Sequence, residues 1–205
     1  MTILTYLDLA VTVIFALSGA LAAARKEMDI MGFLWLGAAA GVGGGTLRDL
    51  VLDVPVFWVD NPTPLILCLL AAGAMHFIAP IFQSRIRVLI WFDAIGMAFA
   101  ATAGTLKTLS LGHAGIVAVV MGVFTASLGG VIRDLLANEP TVISGKDIYV
   151  SAAAIGAATV VAFHGAEMPA VFSAGAGFGM AFLLRAGAIA FNLKFPSYKS
   201  RPPAA

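Results

Sequence analysis

Apolar residues in this chain come in long runs, and the runs have the length of a membrane crossing. Seven stretches approach the ~20 mostly apolar residues that a spanning helix needs. They lie at roughly 5–24, 30–52, 63–82, 88–106, 114–137, 147–164 and 170–191. The breaks carry charge or turn chemistry, as in Arg25-Lys26-Glu27, Asn61-Pro62, Gln83-Ser84-Arg85, Lys107 to His113, and Asn138-Glu139-Pro140. Strands of a membrane barrel would alternate apolar and polar positions. These runs do not alternate, so the pattern predicts helices, which satisfy their own backbone in lipid. The predicted fold is an all-α polytopic membrane protein.

The chain also repeats itself. Shifted by 85 residues, Asp8 falls on Asp93, Gly37 on Gly122, and Pro55 on Pro140. The string Gly44-Gly45-Thr46-Leu47-Arg48-Asp49-Leu50 falls on Gly129-Gly130-Val131-Ile132-Arg133-Asp134-Leu135. A fixed internal period marks duplicated units. Each unit holds three spans, an odd number, so the second must enter the membrane from the opposite face. The expected layout is repeat one at 5–82, repeat two at 88–164 and a seventh helix at 170–191. Together these form one transmembrane domain over 1–192, with a polar tail at 193–205.

Basic residues orient the chain. Alternate loops place Arg25, Lys26, Arg85, Arg87, Lys146, Lys194, Lys199 and Arg201 on one side and only Lys107 on the other. The first side is expected to be cytoplasmic, with the N-terminus outside and the C-terminus inside. The first run is expected to stay in the protein. No basic residue precedes it, and Tyr6 and Asp8 stand where a signal peptide would be positive.

Composition narrows the picture further. Hydrophobic residues make up 60% and charged residues 11% of the 205, and the net charge is +1. A soluble domain carries about 25% charge. The scattered Lys and Arg form no stripe for nucleic acid. Cys68 stands alone, and His76, His113 and His164 are far apart, so no metal-ligand spacing exists. No catalytic grouping appears, and no cofactor is expected beyond permeant ions and bound lipid.

Two groups of residues are candidates for function. Gly43-Gly44-Gly45 and Gly129-Gly130 weaken the second and fifth spans, each interior glycine costing about 1 kcal/mol relative to alanine. One reading is close helix packing, since Gly37, Gly41 and Gly45 are spaced by four. The other is a kink that interrupts the helix and turns backbone carbonyls toward a watery path. The second group is the intramembrane charges. Arg48 and Asp49 are adjacent and project about 100° apart, so each is expected to look elsewhere for a partner. Topology offers Asp8 to Arg48 and Asp93 to Arg133; the alternative is that the charges snorkel to headgroups. Asp134 repeats Asp49. Arg185, two turns inside the seventh helix, is expected to snorkel, with a pore or lipid role as the alternative. Gly175 and Gly179 beside it suggest tight packing. Arg85 and Arg87, with Trp91, look like a cytoplasmic interface anchor, expected to be a plain positive-inside loop, with a seat for an anionic lipid headgroup as the alternative.

On the doubled Gly-Gly-x-x-Arg-Asp-Leu string and the seven-span layout, the chain resembles the prokaryotic branch of the trimeric intracellular cation channel family. The resemblance covers about residues 5–192. It implies two inverted three-helix bundles plus a seventh helix, and a symmetric homotrimer with one pore per protomer. It also implies transport of potassium with some sodium. The family's kinks in helices two and five map onto Gly43–Gly45 and Gly129-Gly130, with Leu128 replacing the first glycine of the second set. A short prokaryotic member implies the plasma (inner) membrane. The same domain type has been labelled a glycine transporter, so a secondary carrier of a small solute is the alternative function.

Overall fold

The computed structural model describes residues 3–82, 84–141 and 147–194. Lys146, Lys199 and Arg201, and the tail beyond 194, lie outside the described residues, as does Gln83 of the expected turn. Eight α-helices are present among those described: α1 (Ile3–Arg25), α2 (Ile30–Val51), α3 (Phe57–Asp60), α4 (Thr63–Ile78), α5 (Arg85–Ser110), α6 (Gly115–Leu136), α7 (Val150–Gly165) and α8 (Ala170–Ala190). A 3₁₀ turn, Ala79–Ile81, extends α4. The chain is an all-α polytopic membrane protein. Six helices are long and apolar enough to cross a membrane, α4 together with its 3₁₀ turn counting as one. The expected sixth span comes out as α7, only 16 residues long. The four-residue α3 was not foreseen; it lies in the stretch read as a proline-rich turn.

Two expected loop boundaries move. Arg85 opens α5 and Lys107 lies in its last turn, so both belong to the helix. The flanking polarity marked where hydropathy drops, while the backbone kept helical bonding until Leu111 and Gly112 closed it.

Helices α1, α2 and α4 pack against one another, as do α5, α6 and α7. The two groups meet through α1 on α5 and α2 on α6, and α8 covers α5 and α7. Small residues line these contacts: Ala16, Ala20, Ala98, Ala101 and Ala126 are buried. Lipid gives helices little hydrophobic reason to associate, so close approach of small residues must supply the packing energy.

Helix endings repeat at the same 85-residue offset. Glu27 (φ 53°) closes α1 and Gly112 (φ 83°) closes α5. Asp53 (φ 53°) closes α2 and Asn138 (φ 50°) closes α6. In each of the latter two, an N–H returns to the carbonyl of the Asp in the Arg-Asp doublet: Val54 to Asp49 at 3.0 Å and Glu139 to Asp134 at 2.8 Å. Such left-handed stops satisfy the orphan carbonyls of a helix end. They also fix each Arg-Asp doublet in the last turn of its helix. At the other end, Asp29 caps α2 by accepting the Gly32 N–H at 2.8 Å.

Candidate functional site

The glycine clusters bring α2 and α6 together. Gly43–Gly45 and Gly129-Gly130 both lie within helices assigned without a break, α2 and α6. A glycine lacks a side chain but keeps both backbone bonds, and packing here holds the helix in spite of its propensity. A Cβ on Gly44 would stand 2.6 Å from the Thr125 carbonyl oxygen, and one on Gly129 2.9 Å from that of Ala40. Gly43 faces Ile132 and Gly45 faces the Phe57 ring. Gly175 and Gly179 on α8 meet nothing within 4 Å, so the tight packing expected of them is not made within the protomer.

Two charge clusters lie beyond this crossing. In the first, Arg48 donates from Nη1 to Asp8 Oδ1 at 2.7 Å and from Nε to Asp49 Oδ1 at 2.7 Å. Lys107 Nζ reaches the same Asp49 oxygen at 2.7 Å, and the Phe57 N–H donates to Asp49 Oδ2 at 3.0 Å. The Phe57 ring also covers the guanidinium, its centroid 5.8 Å from Arg48 Cζ. In the second, Arg133 donates to Asp93 Oδ1 at 2.7 Å, to Asp134 Oδ1 at 2.8 Å, and to the Ser18 hydroxyl. Both arginines are about 1% exposed, so neither snorkels.

The expected partnerships Asp8–Arg48 and Asp93–Arg133 therefore form. The expectation that neighbours in sequence would not pair is corrected: Arg48 bonds Asp49, and Arg133 bonds Asp134. The roughly 100° between adjacent side chains is bridged because a long guanidinium folds back along its helix. A planar fork can then serve two carboxylates at once.

The clusters occupy opposite ends. The first joins the start of α1 (Asp8) to the end of α5 (Lys107). The second joins the latter half of α1 (Ser18) to the start of α5 (Asp93). Asp8 and Ser18 are separated by about 15 Å of helix rise. Each cluster adjoins a cavity. One, about 280 Å³, is lined by Asp8, Lys107, Thr5 and Asn61. The other, about 340 Å³, is lined by Arg133, Asp134, Arg25, Glu139 and Arg185.

Sequence reasoning missed three features. Lys107 was counted as a loop charge. Arg25, counted only for topology, makes an ion pair with Glu139 at 2.7 Å beside the second cavity. Arg185 was expected to snorkel, yet it is 4% exposed. It turns toward the α7 segment instead, bonding the Ile148 carbonyl at 3.2 Å and Asp147 at 3.4 Å, with its Cζ 5.3 Å from the Tyr149 ring centroid. A cation at that depth finds fixed dipoles and a ring face before it finds water.

Arg85 and Arg87 part company. Arg85 donates to the Ala24 carbonyl at 2.9 Å and so ties α5 to the end of α1. Arg87 lies with Trp91 beside a mainly apolar hollow on α5, and the Trp91 ring leans on Phe182 of α8, 6.5 Å between centroids. Among the described residues no group of acidic, His and Cys side chains could hold a metal ion.

A multi-pass helical bundle with buried ion clusters at equivalent places of a repeated unit defines an all-α polytopic membrane protein built by duplication. The sequence model of the Glycine transporter family matches residues 5–80 and again 90–165, the same offset of 85. The TRIC trimeric intracellular cation channel orthologue from Rhodobacter sphaeroides is 47% identical, over 94% of this chain and all of that one, with a TM-score of 0.91. A second TRIC cation channel is 30% identical over 98% of this chain and all of the other, with a TM-score of 0.86. The UPF0126 inner membrane protein YadS of Escherichia coli (strain K12) is 37% identical over 94% of this chain and 95% of its own length. The UPF0126 membrane protein of Vibrio cholerae is 32% identical, over 96% and 83% respectively. The chain belongs to the prokaryotic branch of the trimeric intracellular cation channel family, and is a multi-pass inner-membrane protein.

Proposed function

We propose that the protein is a channel for monovalent cations, potassium with some sodium, working as a homotrimer with one path in each protomer. The observation that carries this reading is the pair of charge clusters at opposite ends of the α1–α5 pair, each beside its own cavity, with the α2–α6 glycine crossing between them. On this reading the path runs from the Asp8 cavity, past Gly43–Gly45 and Gly129-Gly130, to the Arg133–Asp134 cavity. Buried hydroxyls support it. Thr12 and Ser127 have no hydrogen-bond partner among protein groups, and buried polar atoms in native proteins almost always have one. A hydrated path would satisfy both. Among the described residues the other four buried threonines, Thr102, Thr105, Thr108 and Thr125, bond a carbonyl four residues back and are self-satisfied.

The architecture proposed with it is two inverted three-helix repeats plus a seventh helix, over residues 1–192, with α7 as the short sixth span and 193–205 as a cytoplasmic tail. The N-terminus is outside. Two repeats in contrary orientation put equivalent arginines at opposite faces, which matches Arg48 meeting the start of α1 while Arg133 meets the start of α5. Arg85 and Arg87 face the cytoplasm, where anionic headgroups are richest.

Planar bilayer recording of purified protein tests the function. Unitary currents that reverse at the cation potential in a KCl gradient support the channel. Saturable solute uptake without unitary currents overturns it in favour of a secondary carrier. That second reading is kept because the matching family model bears the description Glycine transporter.

A further inference from the structure

We infer that α3 is a lid closed over the outer charge cluster, with the Trp58–Thr46 hydrogen bond as its catch. The lid stands on geometry; its outward placement and its bearing on conduction rest on the channel reading and its topology. One helical turn is too short to hold itself, because starting a helix is unfavourable until further bonds follow. α3 has four residues, none of them buried, and no side chain caps its start. Both of its ends are anchored instead. The Val54 N–H is tied back to the Asp49 carbonyl at 3.0 Å, and Asn61 Oδ1 accepts the Thr63 N–H at 3.1 Å. Pro55 and Pro62 stiffen the two approaches by fixing their own φ angles. A weakly self-bonded segment between rigid ends opens as a unit, at a lower cost than the helices around it.

Three contacts hold α3 down on the end of α2. The Phe57 N–H donates to Asp49 Oδ2 at 3.0 Å. The Phe57 ring rests on Gly45 and covers Arg48, its centroid 5.8 Å from Cζ. The Trp58 indole N–H donates to Thr46 Oγ1 at 2.8 Å. Under this cover the side chains of Arg48 and Asp49 have no exposure at all. Phe57 and Asn61 also line the cavity beside Asp8, so a swing of α3 would widen that cavity and strip Asp49 Oδ2 of its backbone donor. The catch is chemically specific. The Thr46 hydroxyl spends its one proton on the Val42 carbonyl at 2.7 Å, which leaves a lone pair for the indole, a group that can only donate. At the 85-residue offset, Thr46 and Trp58 fall on Val131 and Ile143, whose side chains offer neither acceptor nor donor. The catch therefore belongs to one end of a duplicated scaffold.

Trp58→Phe keeps an aromatic ring and loses the donor; Thr46→Val keeps the shape and loses the acceptor. In purified protein each should speed amide exchange at Phe57 about threefold to tenfold, the effect of one lost hydrogen bond. Amides in the middle of α2 should keep their protection. The double variant should be no faster than either single one, because both changes remove the same bond. Thr46→Ser should exchange as wild type. With Trp35→Phe and Trp91→Phe leaving Trp58 as the sole tryptophan, Thr46→Val should also raise the quenching of its fluorescence by iodide. In bilayer recordings Trp58→Phe should raise the open fraction at unchanged unitary conductance. Wild-type exchange at Phe57 in both single variants, or equal acceleration through the middle of α2, overturns the lid. Faster exchange at Phe57 with an unchanged open fraction overturns its control of conduction. Faster exchange at Phe57 with no unitary current from any variant keeps the lid and overturns the channel reading.

Discussion

Replacing Arg133 with Gln should cost the protein far more than the matching change at Arg48. Arg133 makes charged hydrogen bonds to Asp93 and Asp134 and a further bond to Ser18, and its guanidinium is buried. Asp93 is 2% exposed, so the loss strands a carboxylate away from water. Breaking one partner from a buried pair costs about 3–5 kcal/mol. At the other end, Asp8 keeps a 15% exposed side chain, and Asp49 keeps Lys107 and the Phe57 N–H. Arg48→Gln should therefore cost about 1–3 kcal/mol, the range for a lost hydrogen bond to a charged group. Thermal unfolding in detergent separates the two, with a midpoint loss on the order of 10 °C for Arg133→Gln and about half of that for Arg48→Gln. Asp93→Asn placed on Arg133→Gln should recover part of the loss, because it removes the stranded charge. Equal midpoints for both arginine variants, or no recovery in the double variant, would refute the reasoning.

Other outcomes follow from the packing. Gly44→Ala should lower the unfolding midpoint sharply, because its Cβ would press on the Thr125 carbonyl, while Gly73→Ala, whose Cβ would meet only Leu34 at 3.7 Å, should leave it unchanged or slightly higher. Arg185→Ala should speed amide exchange in the first turn of α7, since it removes the bond to Ile148 and the contact with Tyr149; unchanged exchange there would show that the docking is made by packing alone. Cys68 is buried, so wild type should resist an impermeant maleimide. In the Cys68→Ala background, Ser110→Cys should label from outside intact cells and Lys26→Cys only after lysis. Labelling of both from one side would overturn the proposed orientation.

Much of the fold could be read from hydropathy because lipid punishes every unsatisfied backbone group, leaving helices as the simple reading of long apolar runs. Span limits came within a few residues for α1, α2, α6 and α8. Errors arose where polarity and helicity separate: Arg85 and Lys107 are polar and helical, and α3 is helical but far too short to show a period. The Asp8–Arg48 and Asp93–Arg133 partnerships were legible because topology alone brings those helix ends together. The bonds within each Arg-Asp doublet were not, since ideal side-chain directions ignore how far a guanidinium can fold back. Nor could the sequence choose between packing and a break at the glycines. Propensity sees only the cost of a missing side chain, whereas the Thr125 and Ala40 carbonyls that need the space belong to other helices.

The left-handed stops that recur at the shared offset give the chain a built-in comparator. At one of these stops α1 carries Glu27 and α5 carries Gly112, two different residues asked to hold nearly the same backbone shape. Any substitution made in one half thus has a sister position, in the same molecule and the same bilayer, against which its effect can be judged.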